Sequence, residues 1–252
     1  MVIEKAIAAI TGGASGLGWA TATYLASQGA QIAILDMKAD EEKIAKELPD
    51  ALFVKCDISN SQQVEAAIAA VVKKWGKIDI LVSAASISVA MKTANKKRPH
   101  DMDAFKKLVE VNLVGTFDVM SKTAFTMIGN TPNEDGERGI IIMTASTAAY
   151  EGQIGTVAYS ATKAAIAGMT LVAARDLASQ GIRVMSIAPG VFNTPFLASL
   201  NEEQKDVLGK SVPFPNRLGK PEEFAMLVGQ IIKNSMLNGS TIRLDGALRM
   251  QP

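Results

Sequence analysis

The sequence predicts an α/β fold, a single domain over residues 1–252 built on a doubly wound, seven-stranded parallel sheet with helices on both faces. Short apolar runs alternate with longer segments of helical periodicity, and no linker-like or repeated segment interrupts them. The runs are apolar throughout, which is typical of strands that are buried on both faces. The predicted strands are residues 5–11, 31–36, 51–57, 77–83, 139–146, 182–189 and 241–246.

Composition narrows the classes of function. The net charge of +1 gives no general attraction to nucleic acid, and no run of 18 apolar residues predicts a membrane span. His100 is the only histidine and Cys56 the only cysteine, so neither a zinc site nor a Ser-His-Asp triad is favoured and we predict no metal. Strand-like sequence begins almost at once, and a lone cysteine suits a reducing compartment, so a cytoplasmic location is expected.

A glycine-rich stretch, TGGASGLG, follows the first predicted strand and leads into a helix. Glycines at such a turn let the backbone pass close to a pyrophosphate, whose charge meets the free N–H groups at the helix start. A turn that binds nothing is the alternative. Its position after the first strand favours dinucleotide binding. The predicted cofactor contacts in this loop are Gly12, Ser15, Gly16, Leu17 and Gly18.

Asp36 ends the second predicted strand. A carboxylate at this place accepts hydrogen bonds from the adenosine ribose and repels a 2′-phosphate. The nearest following cation is Lys38, with no arginine close by, so NAD is expected rather than NADP. The alternative is an exposed aspartate that caps the next helix. Asp57, after the third strand, is a candidate for the adenine contact or for a helix cap.

The stretch YSATK places Tyr159 and Lys163 one helical turn apart, on one face of a predicted helix. A tyrosine with an ordinary pKa of about 10 is poorly matched to proton transfer near neutrality. A neighbouring ammonium favours the phenolate, so we expect the pKa of Tyr159 to be lowered. Such a pair also occurs by chance on many helices, and its meaning depends on the rest of the chain.

With the glycine loop, Asp36 and YSATK together, the chain resembles the short-chain dehydrogenase/reductase family over essentially its whole length. The resemblance implies a Rossmann fold with Tyr159 as the acid/base. It implies that Ser146, 13 residues earlier, orients the substrate oxygen. Lys163 is then expected to hold the nicotinamide ribose, and Asn112 in VNLVGTF to help hold a water that relays protons.

The resemblance also implies cofactor contacts beyond the glycine loop and Asp36. These residues are Asp57, Ile58, Ala84, Ala85, Tyr159, Lys163, Pro189, Phe192 and Thr194. One departure from the family stands out, because N-N-A-G usually ends the fourth strand and Ser83-Ala84-Ala85-Ser86 ends it here. Ser83 is shorter than the asparagine that ties this strand to its neighbours, and Ser86 adds a side chain near the nicotinamide half.

Within the family, the C-terminal run LNGSTIRLDGALRMQP and the segment AYEGQIG resemble the type-2 3-hydroxyacyl-CoA dehydrogenases. This resemblance implies short or branched 3-hydroxyacyl-CoA substrates, a place in fatty acid metabolism and a homotetramer. Ser146, Gln153 and Tyr159 are the expected substrate contacts, and residues 190–221 the expected lid. The acyl pocket is expected to use Phe192, Phe196, Leu197 and Leu200.

A basic cluster in the long connection after the fourth strand has two interpretations. It consists of Lys92, Lys96, Lys97 and Arg98. These side chains either meet the phosphates of CoA or form a solvated loop face.

Three other functions remain open. A 3-oxoacyl-carrier-protein reductase is the nearest enzymatic alternative, although such enzymes usually use NADPH and Asp36 weighs against that. A hydroxysteroid dehydrogenase is a second. A scaffold protein that binds NAD without turnover is the third, and the complete set of catalytic residues weighs against it.

Overall fold

The computed structural model describes residues 1–198 and 200–251. Seven parallel strands form one sheet in the order β3-β2-β1-β4-β5-β6-β7, which confirms the predicted doubly wound fold. Residue 199, inside the predicted lid, and residue 252 lie outside the described residues. The strands are β1 (Ile7–Thr11), β2 (Gln31–Asp36), β3 (Leu52–Lys55), β4 (Ile80–Ser83), β5 (Gly139–Thr144), β6 (Ile182–Pro189) and β7 (Thr241–Leu244).

The central strands are buried along their whole length because helices cover both faces of the sheet. Alternate residues of neighbouring strands face opposite sides, as the pleat requires. Leu81 and Ile141 pack on one side, while Val82 and Ile142 pack on the other. The predominance of apolar side chains in these runs therefore follows from burial on both faces.

The described residues also contain helices, most of which cover the sheet. They are α1 (Gly16–Ser27), α2 (Glu41–Glu47), α3 (Ser61–Trp75), α4 (Met102–Val109), α5 (Thr116–Ile128), α6 (Val157–Ala178), α7 (Glu202–Lys210) and α8 (Pro221–Lys233). Helix α6 is long and apolar enough, by length and composition alone, to cross a membrane. It packs against β6 and carries the predicted catalytic pair, so we interpret it as a core helix of the fold.

A π-helical turn, Glu110–Gly115, joins α4 to α5. The sequence predicts Asn112 in the middle of one long helix, and the structure shows that this helix is interrupted there. Gly115 allows the turn to approach the segment that follows β3, because a Cβ at this position would lie 2.6 Å from the carbonyl oxygen of Ile58. Turns of this kind are often found at functional sites.

The predicted lid, residues 190–221, contains more helix than its sequence suggests. A short 3₁₀ turn, Pro195–Leu197, precedes α7. Helix α7 begins at a capping box in which the side chains of Asn201 and Gln204 bond to each other's backbone N–H groups. Its sequence is mostly polar, so hydrophobic periodicity gave no clear signal for it.

Candidate active site

A cavity of about 740 Å³ opens at the carboxyl ends of the strands, where open α/β sheets bind ligands. All the predicted cofactor and substrate residues line it, and their individual roles stay predictions. These residues are Gly12, Ser15, Gly16, Leu17, Gly18, Asp36, Asp57, Ile58, Ala84, Ala85, Ser146, Gln153, Tyr159, Lys163, Pro189, Phe192 and Thr194.

The glycine loop is packed too tightly for side chains. Gly12 and Gly16 have φ angles of 63° and 53°, a region that favours glycine. A Cβ at Gly12 would lie 2.7 Å from the backbone nitrogen of Ala85, and one at Gly18 would overlap the carbonyl of Gly12. Ser15 makes no side-chain cap at the start of α1, so the first N–H groups of this helix face the cavity side without a side-chain partner among the described residues.

Asp36 reaches towards this loop rather than capping a helix. Its Oδ2 accepts a 3.1 Å hydrogen bond from the backbone N–H of Ala14, and its Oδ1 accepts one of 3.2 Å from Lys38. The cap of α2 is Asp40, whose carboxylate accepts the N–H of Lys43. The helix-cap alternative for Asp36 is therefore wrong.

Asp57 likewise does not cap a helix, because the cap of α3 is Asn60. The Oδ1 atom of Asp57 accepts hydrogen bonds of 2.9 and 2.7 Å from the backbone and hydroxyl of Ser59. These bonds, chiefly the one from the Ser59 hydroxyl, lower the pKa of Asp57 below its ordinary value. Asp57 is thus charged near neutrality and lines the cavity beside Ile58.

The predicted catalytic side chains meet where β5 ends and α6 begins. Ser146 follows β5, while Tyr159 and Lys163 project from the first two turns of α6. The Nζ atom of Lys163 donates a 2.7 Å hydrogen bond to the carbonyl oxygen of Thr144 and lies 5.6 Å from the centre of the Tyr159 ring. The Ser146 oxygen accepts a 3.1 Å hydrogen bond from Ala148, so it also caps a short 3₁₀ turn.

Burial shifts the pKa values of both members of the pair towards their neutral forms. It raises the pKa of Tyr159 to about 12, and the hydroxyl of Ser146 opposes this shift by hydrogen bonding. Burial lowers the pKa of Lys163 to about 7. The expectation of a lowered tyrosine pKa is therefore wrong for the protein chain alone, because the lysine is desolvated too and points its N–H at Thr144.

Asn112 lies behind the cavity wall, 1% exposed, and ties the π-helical turn to the segment after β4. Its Nδ2 donates a 2.8 Å hydrogen bond to the carbonyl of Ile87, and its Oδ1 accepts from the N–H of Ile87 at 2.9 Å. The Ser86 hydroxyl donates a further 3.2 Å bond to the same oxygen. By contrast, the buried Ser83 hydroxyl has no partner among the described residues, as its short side chain suggests.

Sequence reasoning missed several residues of the site. The Thr144 carbonyl belongs to the backbone, so no side-chain pattern signals it. Glu151 and Met250 also line the cavity, although they lie far apart in the sequence. Gln153, two residues after Glu151, contacts Gln251, which follows Met250 and lies 98 positions further along the chain. The opposite charges of Glu151 and Arg243 are compatible with an ion pair. The sequence does not show that these two residues pair, because their pairing depends on the tertiary fold.

A model of the family described as "short chain dehydrogenase" matches residues 6–205, a range that includes the glycine loop and the Tyr159–Lys163 pair. Since this range covers most of the chain, the protein belongs to the short-chain dehydrogenase family and is an oxidoreductase. A 3-hydroxyacyl-CoA dehydrogenase type-2 of Drosophila melanogaster is 49% identical over 255 residues, which cover 100% of both chains.

Solved structures agree with this assignment. A 3-hydroxyacyl-CoA dehydrogenase type-2 from Mycobacterium avium superimposes with a TM-score of 0.92 at 40% identity, over 98% of this chain and 97% of the other. A 3-ketoacyl-(acyl-carrier-protein) reductase from Brucella melitensis, in complex with NADH, gives a TM-score of 0.87 at 31% identity over 98% and 100% of the two chains.

Proposed function

We propose that this protein is an NAD-dependent dehydrogenase that interconverts short or branched 3-hydroxyacyl-CoA and 3-oxoacyl-CoA. The observation that carries the proposal is the 49% identity, over the full length of both chains, with the Drosophila 3-hydroxyacyl-CoA dehydrogenase type-2. The match extends over the C-terminal segment, in which Met250 lines the cavity. It therefore includes the expected substrate-binding residues as well as the expected cofactor-binding residues.

The residues present fit NAD. Close packing at Gly12 and Gly18 leaves no room for side chains in the loop. The start of α1 lacks a side-chain cap and would offer its backbone N–H groups to a pyrophosphate. Asp36 would hold the adenosine ribose and disfavour a 2′-phosphate, while Lys163 would hold the second ribose. When bound, NAD supplies the acceptor or donor of the hydride.

The chain itself manages the proton. In reduction the Tyr159 hydroxyl donates a proton to the substrate oxygen, and in oxidation the phenolate takes it back. Ser146 holds that oxygen beside Tyr159 by hydrogen bonding. A raised tyrosine pKa keeps the phenol protonated near neutrality, which suits reduction. Oxidation requires the phenolate, which the positive charge of bound NAD⁺ would stabilise and a higher pH would favour.

Apolar side chains of the lid would enclose the acyl part of the substrate. The ring of Phe196 lies 5.8 Å from that of Tyr159, centre to centre. Leu197, Leu200 and Phe192 line the same cavity. An apolar wall beside the proton donor also excludes water from the reacting oxygen.

The rival carrier-protein reductase is best separated by its acyl carrier. Preference for NADH does not decide by itself, since the Brucella reductase is described in complex with NADH. We would compare initial rates with acetoacetyl-CoA and acetoacetyl-carrier protein, each with NADH and NADPH, using Tyr159→Phe as the inactive control. Faster turnover of the CoA thioester with NADH supports the proposal. Faster turnover of the carrier-protein thioester would contradict it.

We also propose a cytoplasmic homotetramer. Apolar side chains stand exposed on α5 and α6, which a second copy would cover. They are Phe117, Phe125, Ile128, Leu171 and Val172. Light scattering of the purified protein and fractionation of its cells test the assembly and the location.

A further inference from the structure

The segment that follows β7 runs along the substrate end of the cavity. We name residues 245–251 the C-terminal strap; they form neither helix nor strand. Leu248 is 3% exposed and anchors the strap in the protein. Met250 lines the cavity together with Glu151 and Gln153, which precede α6. The strap thus contributes Met250 to the cavity lining without the backbone hydrogen bonding of a regular element.

Arg243 joins the strap to the segment before α6. Its Nη1 and Nη2 donate hydrogen bonds of 2.8 and 2.9 Å to the two oxygens of Glu151. Its Nε donates a 2.8 Å bond to Asp245, and Nη2 donates one of 3.1 Å to the carbonyl of Leu248. A guanidinium that is bidentate to one carboxylate and also bound to a second holds its partners in a fixed geometry.

Two further side chains, Arg249 and Gln153, hold the strap at its far end. Arg249 lies 3.4 Å from Glu151 and 3.2 Å from Asp245, and also donates a 2.7 Å hydrogen bond to the carbonyl of Leu248. Gln153 donates a 3.2 Å hydrogen bond to the carbonyl of Gln251. Met250 therefore lies between fixed points on both sides, one at Leu248 and the other at Gln251.

The charge balance of this cluster determines which part of a substrate the strap can contact. Each charged group of the cluster finds an opposite charge within the cluster, so none is left to bind a charged substrate. Hydrogen bonding to Arg243 is the main cause that holds the pKa of Glu151 below its ordinary value, so the carboxylate stays charged near neutrality. What the strap offers the cavity is the apolar, flexible thioether of Met250, which suits contact with an alkyl group.

We propose that Met250 limits the length of the acyl chain that the enzyme accepts, and that Arg243 positions it. The inference rests on the proposed function, because it names what determines specificity at that same site. Met250 would contact the substrate, whereas Arg243 acts through the strap and is a positioning residue.

The test compares chain lengths in Met250→Ala. We would measure kcat/KM for 3-oxoacyl-CoA of four, eight and twelve carbons, with Met236→Ala as the matched control because Met236 is 90% exposed. Removing the wall should raise the ratio of long-chain to short-chain kcat/KM by about tenfold or more, the usual worth of contacts with a few methylenes. The control should keep the wild-type ratio. A change below about twofold in Met250→Ala would overturn the inference.

The positioning role of Arg243 needs a separate readout. Glu151→Gln preserves side-chain size and removes the negative charge to which the Arg243 guanidinium bonds. We expect faster amide hydrogen exchange at residues 247–251 and a smaller shift of the chain-length ratio in the same direction. Unchanged exchange with an unchanged ratio would remove Arg243 from the proposal.

Failure of the proposed function would be visible in the wild-type protein, as absence of turnover with every acyl-CoA. The variants would then be compared on CoA-free 3-oxo esters of the same lengths. A longer-chain preference in Met250→Ala with those esters would sustain the inference about the wall. An unchanged preference would overturn it.

Discussion

The ammonium of Lys163 donates its 2.7 Å hydrogen bond to the backbone carbonyl of Thr144. This bond fixes the lysine at the end of β5, one helical turn from Tyr159 in the sequence. Because the lysine is 3% exposed, its charged form carries a desolvation cost, which lowers its pKa to about 7. The catalytic pair is therefore held in place by the backbone and is weakly charged without ligands.

The pH dependence of protein stability should reflect the burial of Lys163. Between about pH 7 and pH 10 the unfolded chain binds a proton at Lys163 that the folded chain does not. The free energy of unfolding of the wild-type protein should therefore rise with pH, relative to Lys163→Met, by roughly 1 kcal/mol or more across this window. Denaturant titrations at pH 6.5 and pH 9.5 measure the difference. A constant difference between the two proteins would contradict the lowered pKa.

The two directions of the reaction should respond differently to pH. Reduction uses the protonated phenol of Tyr159, whose pKa is raised to about 12. Because the phenol stays protonated between pH 7 and pH 9, loss of its proton should not slow reduction in this range. Oxidation needs the phenolate, so kcat/KM for the 3-hydroxyacyl-CoA should rise over the same range. Tyr159→Phe should lower both by about 10²-fold or more while NADH binding, followed by fluorescence, persists. Oxidation that slows as pH rises would contradict the assignment.

Cofactor choice should depend on Asp36. Asp36→Ala removes the carboxylate that bonds to the glycine loop at Ala14 and is expected to meet the adenosine ribose. The ratio of kcat/KM with NADPH to that with NADH should therefore rise by about tenfold. Asp40→Ala is a matched control, since Asp40 caps α2. It should cost about 1 kcal/mol of stability and leave the cofactor ratio unchanged. Equal cofactor ratios in the two variants would remove the role of Asp36.

The basic cluster should serve CoA more than the acyl group. The backbone N–H of Met91 donates a 2.7 Å hydrogen bond to the carbonyl of Gly155, so the segment carrying the cluster lies beside the substrate end of the cavity. Reversing Lys96 and Lys97 to glutamate should raise KM for acetoacetyl-CoA by about fivefold or more, and much less for a CoA-free ketone. Reversing Lys46 and Lys73, both exposed elsewhere, is the control for net charge. Equal effects on both substrates would leave the cluster as a solvated loop face.

Assembly should depend on the exposed apolar face of α5 and α6. Phe125 is 79% exposed and stands on this face. Phe125→Asp should shift the protein to smaller species in light scattering, because burying an unpaired carboxylate in an interface is costly. The control is Met236→Asp, at a site 90% exposed. A mass unchanged by Phe125→Asp would place the contact between copies elsewhere.

Local sequence patterns predicted the sheet and most of the cavity. Continuous apolar runs located the strands, and the glycine loop, Asp36 and the Tyr159–Lys163 spacing are each encoded within a few residues. Long-range contacts escaped prediction. The π-helical turn at Glu110–Gly115 depends on packing against Ile58, and the place of Met250 depends on ion pairs made through Arg243. The raised pKa of Tyr159 depends on burial, which a helical pattern does not specify.

The strand order has a consequence for how such enzymes diversify. The chain passes from β3, at one edge of the sheet, to β4, which lies beside β1 at mid-sheet. The glycine loop and Asp36 therefore both come from the first quarter of the chain, before Ser61. Ser146 and Tyr159, to which the proton step is assigned, and the apolar residues of the expected acyl pocket come from positions after Gly139. A mutation in one of these regions can therefore change the cofactor preference while the substrate preference stays the same, or the reverse. The segment from Ser83 to Ile87, braced by Asn112, is where the two contributions meet, and changes there are felt by both.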